Sequence, residues 1–486
     1  VAGLAVLSVP RLGRRPVWLD EAYTVGVTHD LVSAWRGSGG TMALYYLLVW
    51  PVAQVSTDRV WVRLPSLVFA ALVVLVVHEI GRLLGGRRMG AYAAGTLAAT
   101  WSLSRFALEA RSYTLAMLLV SLSWLGLVGA VRSASSASAS TSSPAGGGDR
   151  TAERRWWALF AAATLLAPLA HGLAAAHFVP QVAVLALSPD RRRWLRRCVP
   201  LGALLAVEGA LLFTVGAGEV ANWIPSLRWG QVRSFGHLLV GRGTALWLVG
   251  ALAVAGIALA VAAVRRRGPD REPDAWLRLV PALWALGAPL LVLALSVVRP
   301  YAEARYVLGA LPGVALLVGA ALSSPRLRPR PLAFAVWLVV AVALLQTQSN
   351  VTTAGAEDWP ALADRLATEA EDGDRLLTMP KLRSAFDYSW AEDPERPLLD
   401  PLSPTDPVGD VRRFYDPTPG PMRSRLLADT SRTVWYVDRN DARRDGVLAL
   451  MTDPAIAERY VVTGPWEFDG DLYLVRFRPR AAAPAG

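Results

Sequence analysis

Apolar residues in this chain gather into long, nearly uncharged runs separated by short, arginine-rich breaks. Stretches such as "LPSLVFAALVVLVV", "YTLAMLLVSLSWLGLVGAV" and "ALWLVGALAVAGIALAVAAV" carry no charge. With a few flanking residues each reaches the ~20 residues that cross a bilayer core as a helix. The runs and breaks together predict spans near 60–82, 89–105, 113–131, 156–172, 173–188, 198–216, 244–264, 278–298, 306–322 and 331–347. The opening "VAGLAVLSVP" is apolar over only half a span and lacks the basic leader and cleavage site of a signal peptide. It reads as the outer half of a first helix that begins upstream, which would make eleven spans.

Two segments break this pattern. Residues 133–155, "SASSASASTSSPAGGGDRTAERR", are rich in Ser, Ala and Gly without apolar periodicity and predict a disordered cytoplasmic linker. From about 348 the spans stop, and an amphipathic stretch, "DWPALADRLATEA", is followed by strand-like runs "DRLLTM", "RTVWYVD", "RYVVTG" and "DLYLVRF". That mixture predicts a small soluble α/β domain. The expected organisation is an α-helical polytopic membrane domain over 1–347 and a soluble α/β domain over 348–486.

Composition supports the membrane assignment: 53% of residues are hydrophobic and the mean hydropathy is +0.34. The net charge of +11 sits in separate short loops, "GRLLGGRR" (81–88), "DRRRWLRR" (190–197), "RRRGPDRE" (265–272) and "RLRPR" (326–330). Dispersed in this way it follows the positive-inside rule and argues against a nucleic-acid groove. Parity then places 11–59, 106–112, the turn at His171, 217–243, 299–305 and the tail outside the cell membrane. The lone Cys198 excludes internal disulfides and a cysteine-rich metal site. No metal-ligand cluster is visible, so no tightly bound metal is expected; divalent-cation dependence through Asp20 or Glu21 stays open.

Asp20-Glu21 are the conspicuous chemistry, two adjacent carboxylates just after the first apolar run. Written as a helix, 19–35 places Leu19, Tyr23, Val27 and Leu31 on one stripe with Trp18 and Trp35 at its ends, which suits a helix lying in the membrane interface. A carboxylate there is partly desolvated and can meet a lipid-borne substrate. Ordinary solvated charge would occupy the same position.

The order of motifs separates these alternatives. "WLDEAYT", "ALYYLL", "VRLPSLVFAAL", "EARSYTLAMLL", "AHGLAAAHFVPQVAVLAL", "RPYAEARYVLGALPGVALL" and "DWPALADRLATEAEDGDRLL" follow one another over most of the chain. This pattern resembles the glycosyltransferase family 39-like membrane enzymes, relatives of protein O-mannosyltransferases and lipid A aminoarabinose transferases within the GT-C fold class. The resemblance implies an inverting transferase of the plasma membrane. It would move a sugar, mannose or another, from a polyprenyl-phosphate carrier to a glycan, lipid or protein acceptor on the outer face. By resemblance Asp20 is the base that takes the acceptor's proton and Glu21 its helper.

The departing phosphate needs fixed cations, and arginine keeps its proton and grips phosphate with two donors. Two external Glu-Ala-Arg turns supply them, Glu109 to Arg111 and Glu303 to Arg305. The resemblance assigns Arg111 and Arg305, with neighbouring Tyr306, to phosphate or sugar contact, and Glu109 and Tyr113 to the donor pocket. Glu303, His171 and Tyr45 are weaker candidates. Arg105 with Glu109 and Arg299 with Glu303 stand at i,i+4, so local neutralisation competes with a binding role. The external loop 217–243 carries Trp223, Arg228 and Trp229, read as an interface-anchoring aromatic belt in preference to a sugar-stacking surface.

The resemblance fails at "GTMALYY", where relatives carry a His or Lys with prolines before the aromatic pair; this shifts weight onto Arg111 and Arg305. The competing class is a transporter or flippase. Against it, charged residues inside the expected spans are few, chiefly His78, Glu79 and Glu208, and paired discontinuous helices are not evident.

Overall fold

A computed structural model of the protein describes all residues except 37–38, 140–146, 217–223, 225, 267–273, 328, 379–381, 403–407, 410–421, 440–443 and 481–486. Six of its helices are long and apolar enough to cross a membrane: Arg59–Gly85, Tyr113–Ser135, Thr244–Arg265, Ala275–Leu295, Ala304–Leu322 and Arg330–Asn350. Each falls on an expected span, and the chain is a multi-pass membrane protein. Length and apolarity alone single out these six, so they do not reproduce the count of eleven.

The remaining expected spans are helical but interrupted or polar-ended. The run at 89–105 is two helices, Arg87–Ala99 and Trp101–Ala107, because Thr100 turns extended and its side chain caps the second by accepting from Leu103 N. Residues 173–188 begin as a 3₁₀ turn, Gly172–His177, before the helix Phe178–Ala186.

Two readings are corrected, and one stretch holds a helix that was not expected. The external stretch 11–59 contains an apolar helix, Ala43–Val55, too short and too interrupted by Pro51 to register as a span. The helix expected over 19–35 is two, Leu19–Val27 and Leu31–Arg36, because Asp30 Oδ1 accepts from Val32 N at 2.7 Å and Ser33 N at 2.8 Å and starts the second. The linker over 133–155 is largely helix: one helix runs Tyr113–Ala139 and the next starts at Gly147, leaving only 140–146 outside the described residues. Extending an existing helix needs no new nucleus. Glu153 further anchors the second helix by pairing with Arg193 and with Arg197, the latter at 2.6 Å.

The chain forms two compact units, each discontinuous in sequence. The first comprises Val1–Leu12, Ala34–Val49 and Arg63–Val351. The helix Tyr113–Ser135 is buried along nearly all of its apolar stretch, whereas Thr244–Arg265 is mostly not and turns Trp247 and Val254 outward, as a lipid-facing helix does. Tyr113–Ala139 and Gly147–Ala170 form a tight hairpin. Their backbones approach at Gly126, where a Cβ would meet Phe160 N at 2.5 Å. Close approach through small residues is how helices gain contact without a hydrophobic driving force.

The second unit comprises Gly13–Ser33, Trp50–Val62 and Thr352–Gly486. Its sheet contains β1 (Arg375–Thr378), β2 (Asp400–Pro401), β3 (Val434–Arg439), β4 (Tyr460–Phe468) and β5 (Leu472–Pro479) in the order β2-β1-β3-β5-β4. β1 pairs in parallel with β2 and β3, and β5 antiparallel with β3 and β4. One face packs Val434, Tyr436, Val475, Phe477 and Tyr460 against Leu426 and Ile456. The helix Trp359–Ala367 packs against β5 with Trp359, Leu362 and Leu366 buried. The expected helix and four strands are all present.

The unexpected feature is that the tail's unit takes in two N-terminal segments. Arg15 Nη2 donates to Gly355 O at 2.9 Å, and Leu19 N donates to Glu357 Oε2 at 2.8 Å. Tyr388 Oη donates to Thr57 O at 3.0 Å, and the helix Leu19–Val27 packs on Arg383–Trp390. The boundary expected at 347/348 therefore captures only part of this unit.

Candidate active site

In the second unit, the carboxylate pair occupies the first turn of the helix Leu19–Val27, entered from Trp18 in extended conformation. The first N–H groups of a helix lack intrahelical acceptors. The N-cap residue Trp18 supplies none through its side chain; Glu357 does. Its Oε2 accepts from Leu19 N and, at 2.7 Å, from Trp359 Nε1, while its Oε1 lies 2.9 Å from Arg439 Nη1. Burial raises the Glu357 carboxyl above its ordinary pKa, outweighing the opposing pull of Arg439, Trp359 and the Leu19 N–H. The helix bearing Asp20 and Glu21 is thus held at its start by a side chain 338 residues away.

Exposure distinguishes the two carboxylates. Glu21 is fully buried, whereas Asp20 is half-buried and its backbone carbonyl accepts from Thr24 Oγ1 at 3.0 Å. Of the pair, Asp20 is the one with surface available to another molecule.

In the first unit, residues selected from distant parts of the chain converge in two linked groups. Tyr113, His171, Arg305 and Tyr306 line one narrow cleft, joined by His177 and Gly309. The His171 ring lies between Tyr306, at 4.8 Å between centroids, and Tyr113, at 5.8 Å; the Arg305 guanidinium sits 6.0 Å from the centre of the Tyr113 ring. Gly309 permits the closeness: a Cβ there would meet His177 Nε2 at 2.6 Å. Glu303 approaches Arg305 Nε at 3.7 Å.

The second group is a hydrogen-bonded chain. Tyr45 Oη lies 2.9 Å from Ser66 Oγ, which donates to Arg111 O at 3.2 Å, so the tyrosine is the donor to the serine. Arg111 Nη1 donates to Tyr46 Oη at 3.1 Å. The backbone between the helices Trp101–Ala107 and Tyr113–Ala139 turns tightly, with Arg111 N donating to Glu109 O at 2.8 Å. Glu109 is buried and forms an ion pair with Arg105, the i,i+4 partner that competed with a binding role.

Sequence reasoning missed Glu357, Ser66, Tyr46 and His177. Ser66 and His177 stand inside apolar runs with no local signal, and Glu357 reads as the acidic lead-in to the amphipathic helix. Of the external aromatic loop, Trp223 lies outside the described residues, while Trp229 begins the helix Trp229–Val240 and is exposed. Among the described residues no group of three or more His, Cys, Asp or Glu side chains gathers to hold a metal ion.

No family model and no curated protein sequence matches the chain. Solved structures do. ArnT from Cupriavidus metallidurans in the apo state superposes with a TM-score of 0.58 at 15% identity, covering 98% of this chain and 96% of ArnT. The same enzyme bound to undecaprenyl phosphate gives 0.56 at 15% identity with the same coverage. The apo oligosaccharyltransferase of Archaeoglobus fulgidus gives 0.51 at 10% identity, covering 93% of this chain and 70% of its own. The fold is that of the GT-C glycosyltransferases, as the motif order implied.

Proposed function

We propose that this protein is an inverting glycosyltransferase that moves a sugar from a polyprenyl-phosphate carrier to a hydroxyl acceptor outside the cell membrane. The observation that carries it is the convergence, within a GT-C fold, of Tyr113, His171, Arg305 and Tyr306 on one cleft from three separated stretches of chain. An arginine over aromatic rings is suited to a phosphorylated sugar: the guanidinium grips phosphate and the rings take the sugar face. That ArnT has been captured with undecaprenyl phosphate supports a lipid-phosphate carrier for this chain as well.

In this reading the acceptor oxygen attacks the anomeric carbon and the carbon–oxygen bond to the carrier phosphate breaks. The electron pair leaves with the phosphate, and Asp20 takes the acceptor's proton. Arg305 and Arg111 meet the charge developing on the leaving group. Glu21, buried beside the base, orients it. In this reading the tail lies outside the cell membrane, the side that the arginine-rich loops leave for it.

Asp20→Asn keeps size and hydrogen bonding but accepts no proton. With membranes and labelled polyprenyl-phosphate sugar, release of the free carrier phosphate should fall about 10²–10⁴-fold, the usual worth of a general base. Donor binding should survive. A correctly inserted Asp20→Asn protein turning over normally while Glu21→Gln is dead would make Glu21 the base. Absence of any carrier-phosphate release by the wild type, with sugar transport instead, would sink the enzymatic reading.

A further inference from the structure

Described residues at or beside three of the four arginine-rich breaks, among them Gly85, Arg266 and Arg326, line one groove in the first unit. The ends of the helices Arg59–Gly85 and Thr244–Arg265 and the starts of Arg87–Ala99 and Ala275–Leu295 frame an open groove there. The segment after Ala304–Leu322 completes it. The groove has a volume of about 470 Å³. Its floor is aliphatic, with Leu84, Met89, Leu259, Ala263 and Ala320 among its atoms, and its rim carries Arg266, Arg278 and Arg326 with Ser323 and Ser324. Among the described residues that line it there is no carboxylate.

We propose that this groove is a binding site for one anionic phospholipid of the leaflet on the arginine-rich side, with its phosphate at the three arginines and an acyl chain along the aliphatic floor. Arginine-rich loops would satisfy the positive-inside rule wherever they lay on that side of the membrane. They need not enclose an apolar trough open to the bilayer. Apolar floor and cationic rim together match a molecule with a hydrocarbon tail and an anionic head, and basic pockets between transmembrane helices on that side are where such headgroups bind. Zwitterionic lipid offers the same tail without the net charge. The site is independent of the glycosyl-transfer reading.

The test is native mass spectrometry of the full chain purified in neutral detergent and titrated with phosphatidylglycerol or phosphatidylcholine. One phosphatidylglycerol per chain should bind in preference to phosphatidylcholine. Each arginine near a charged headgroup is worth about fivefold, so replacing Arg266, Arg278 and Arg326 together by Gln should weaken binding by roughly a hundredfold. Replacing Arg228, Arg233 and Arg242 removes the same charge from the helix Trp229–Val240 and its ends, and should leave the lipid bound. Ala263→Trp fills the groove without changing charge and should also expel the lipid, which guards against misfolding of the arginine variant. Equal affinity for the two lipids, or retention of phosphatidylglycerol in both groove variants, overturns the proposal. Displacement of the lipid by inorganic phosphate at low millimolar concentration does so too, because it would reduce the groove to a simple anion site.

Discussion

Removing the Glu357 side chain tests whether the tail holds the carboxylate helix. In Glu357→Ala, Trp359 Nε1 loses its acceptor; Trp359 is fully buried, and an unsatisfied buried donor costs about 1–3 kcal/mol. Leu19 N loses its cap, worth about 1 kcal/mol. The Arg439 side chain is a third exposed and stays hydrated, so its lost pairing adds at most about 1 kcal/mol. The sum is about 2–5 kcal/mol. Glu357→Gln should behave differently, because both N–H groups meet the same oxygen, Oε2, and one amide oxygen can replace it. Only the Arg439 contact is lost, so the cost should be about 1 kcal/mol. Hydrogen exchange over 19–27 reads this directly, since 1.4 kcal/mol is a tenfold change in opening. Alanine should lower protection by about 30-fold or more and glutamine by less than tenfold. Equal losses in the two variants, or no loss with alanine, would refute the capping argument.

Three other outcomes follow from the same structure. In the proposed mechanism Arg305 contacts the donor phosphate in the ground state, so Arg305→Ala should weaken donor binding about 10–100-fold as well as slowing turnover; donor titration with unchanged affinity would remove Arg305 from the site. Because burial raises the Glu357 pKa in the folded state, its contribution to stability is complete below about pH 4.5 and is lost as pH rises through the raised value. The stability of Glu357→Gln relative to wild type should therefore rise as pH passes upward from about 4.5 through the raised value, and a relative change in the opposite sense would reverse the assigned sign. A reporter fused after residue 350 should be active only when exported, as the arginine-rich loops require; cytoplasmic activity would invert the whole assignment.

The transmembrane helices were legible because lipid demands one simple property, some twenty apolar residues without charge, and the six long helices meet it. Helix Ala43–Val55 escaped because thirteen residues broken by Pro51 fall below that signal. The Ser/Ala-rich stretch misled in the other direction: composition reports what a segment prefers alone, while here it continues a helix already nucleated by an apolar core. At the site, Tyr113, His171, Arg305 and Tyr306 were legible one by one from their motifs, yet their meeting is a tertiary fact. Nothing local in "EDWP" marks Glu357 as the partner of Leu19, since a pairing over that sequence distance leaves no periodicity to read. The division into units was hidden for the same reason.

That long-range cap also has a consequence in time. Synthesis runs at about 5–20 residues per second, so the 338 residues separating Leu19 from Glu357 take roughly 17–70 s to make. For that interval the carboxylate helix exists without the side chain that closes its first turn. A ribosome stalling after Asn350, where the last long span ends, but before Glu357 would release a chain whose spans can already be inserted and whose cleft residues are all present, but whose Asp20 is borne on an unanchored helix. Quality control that only surveys membrane insertion would pass such a chain as finished.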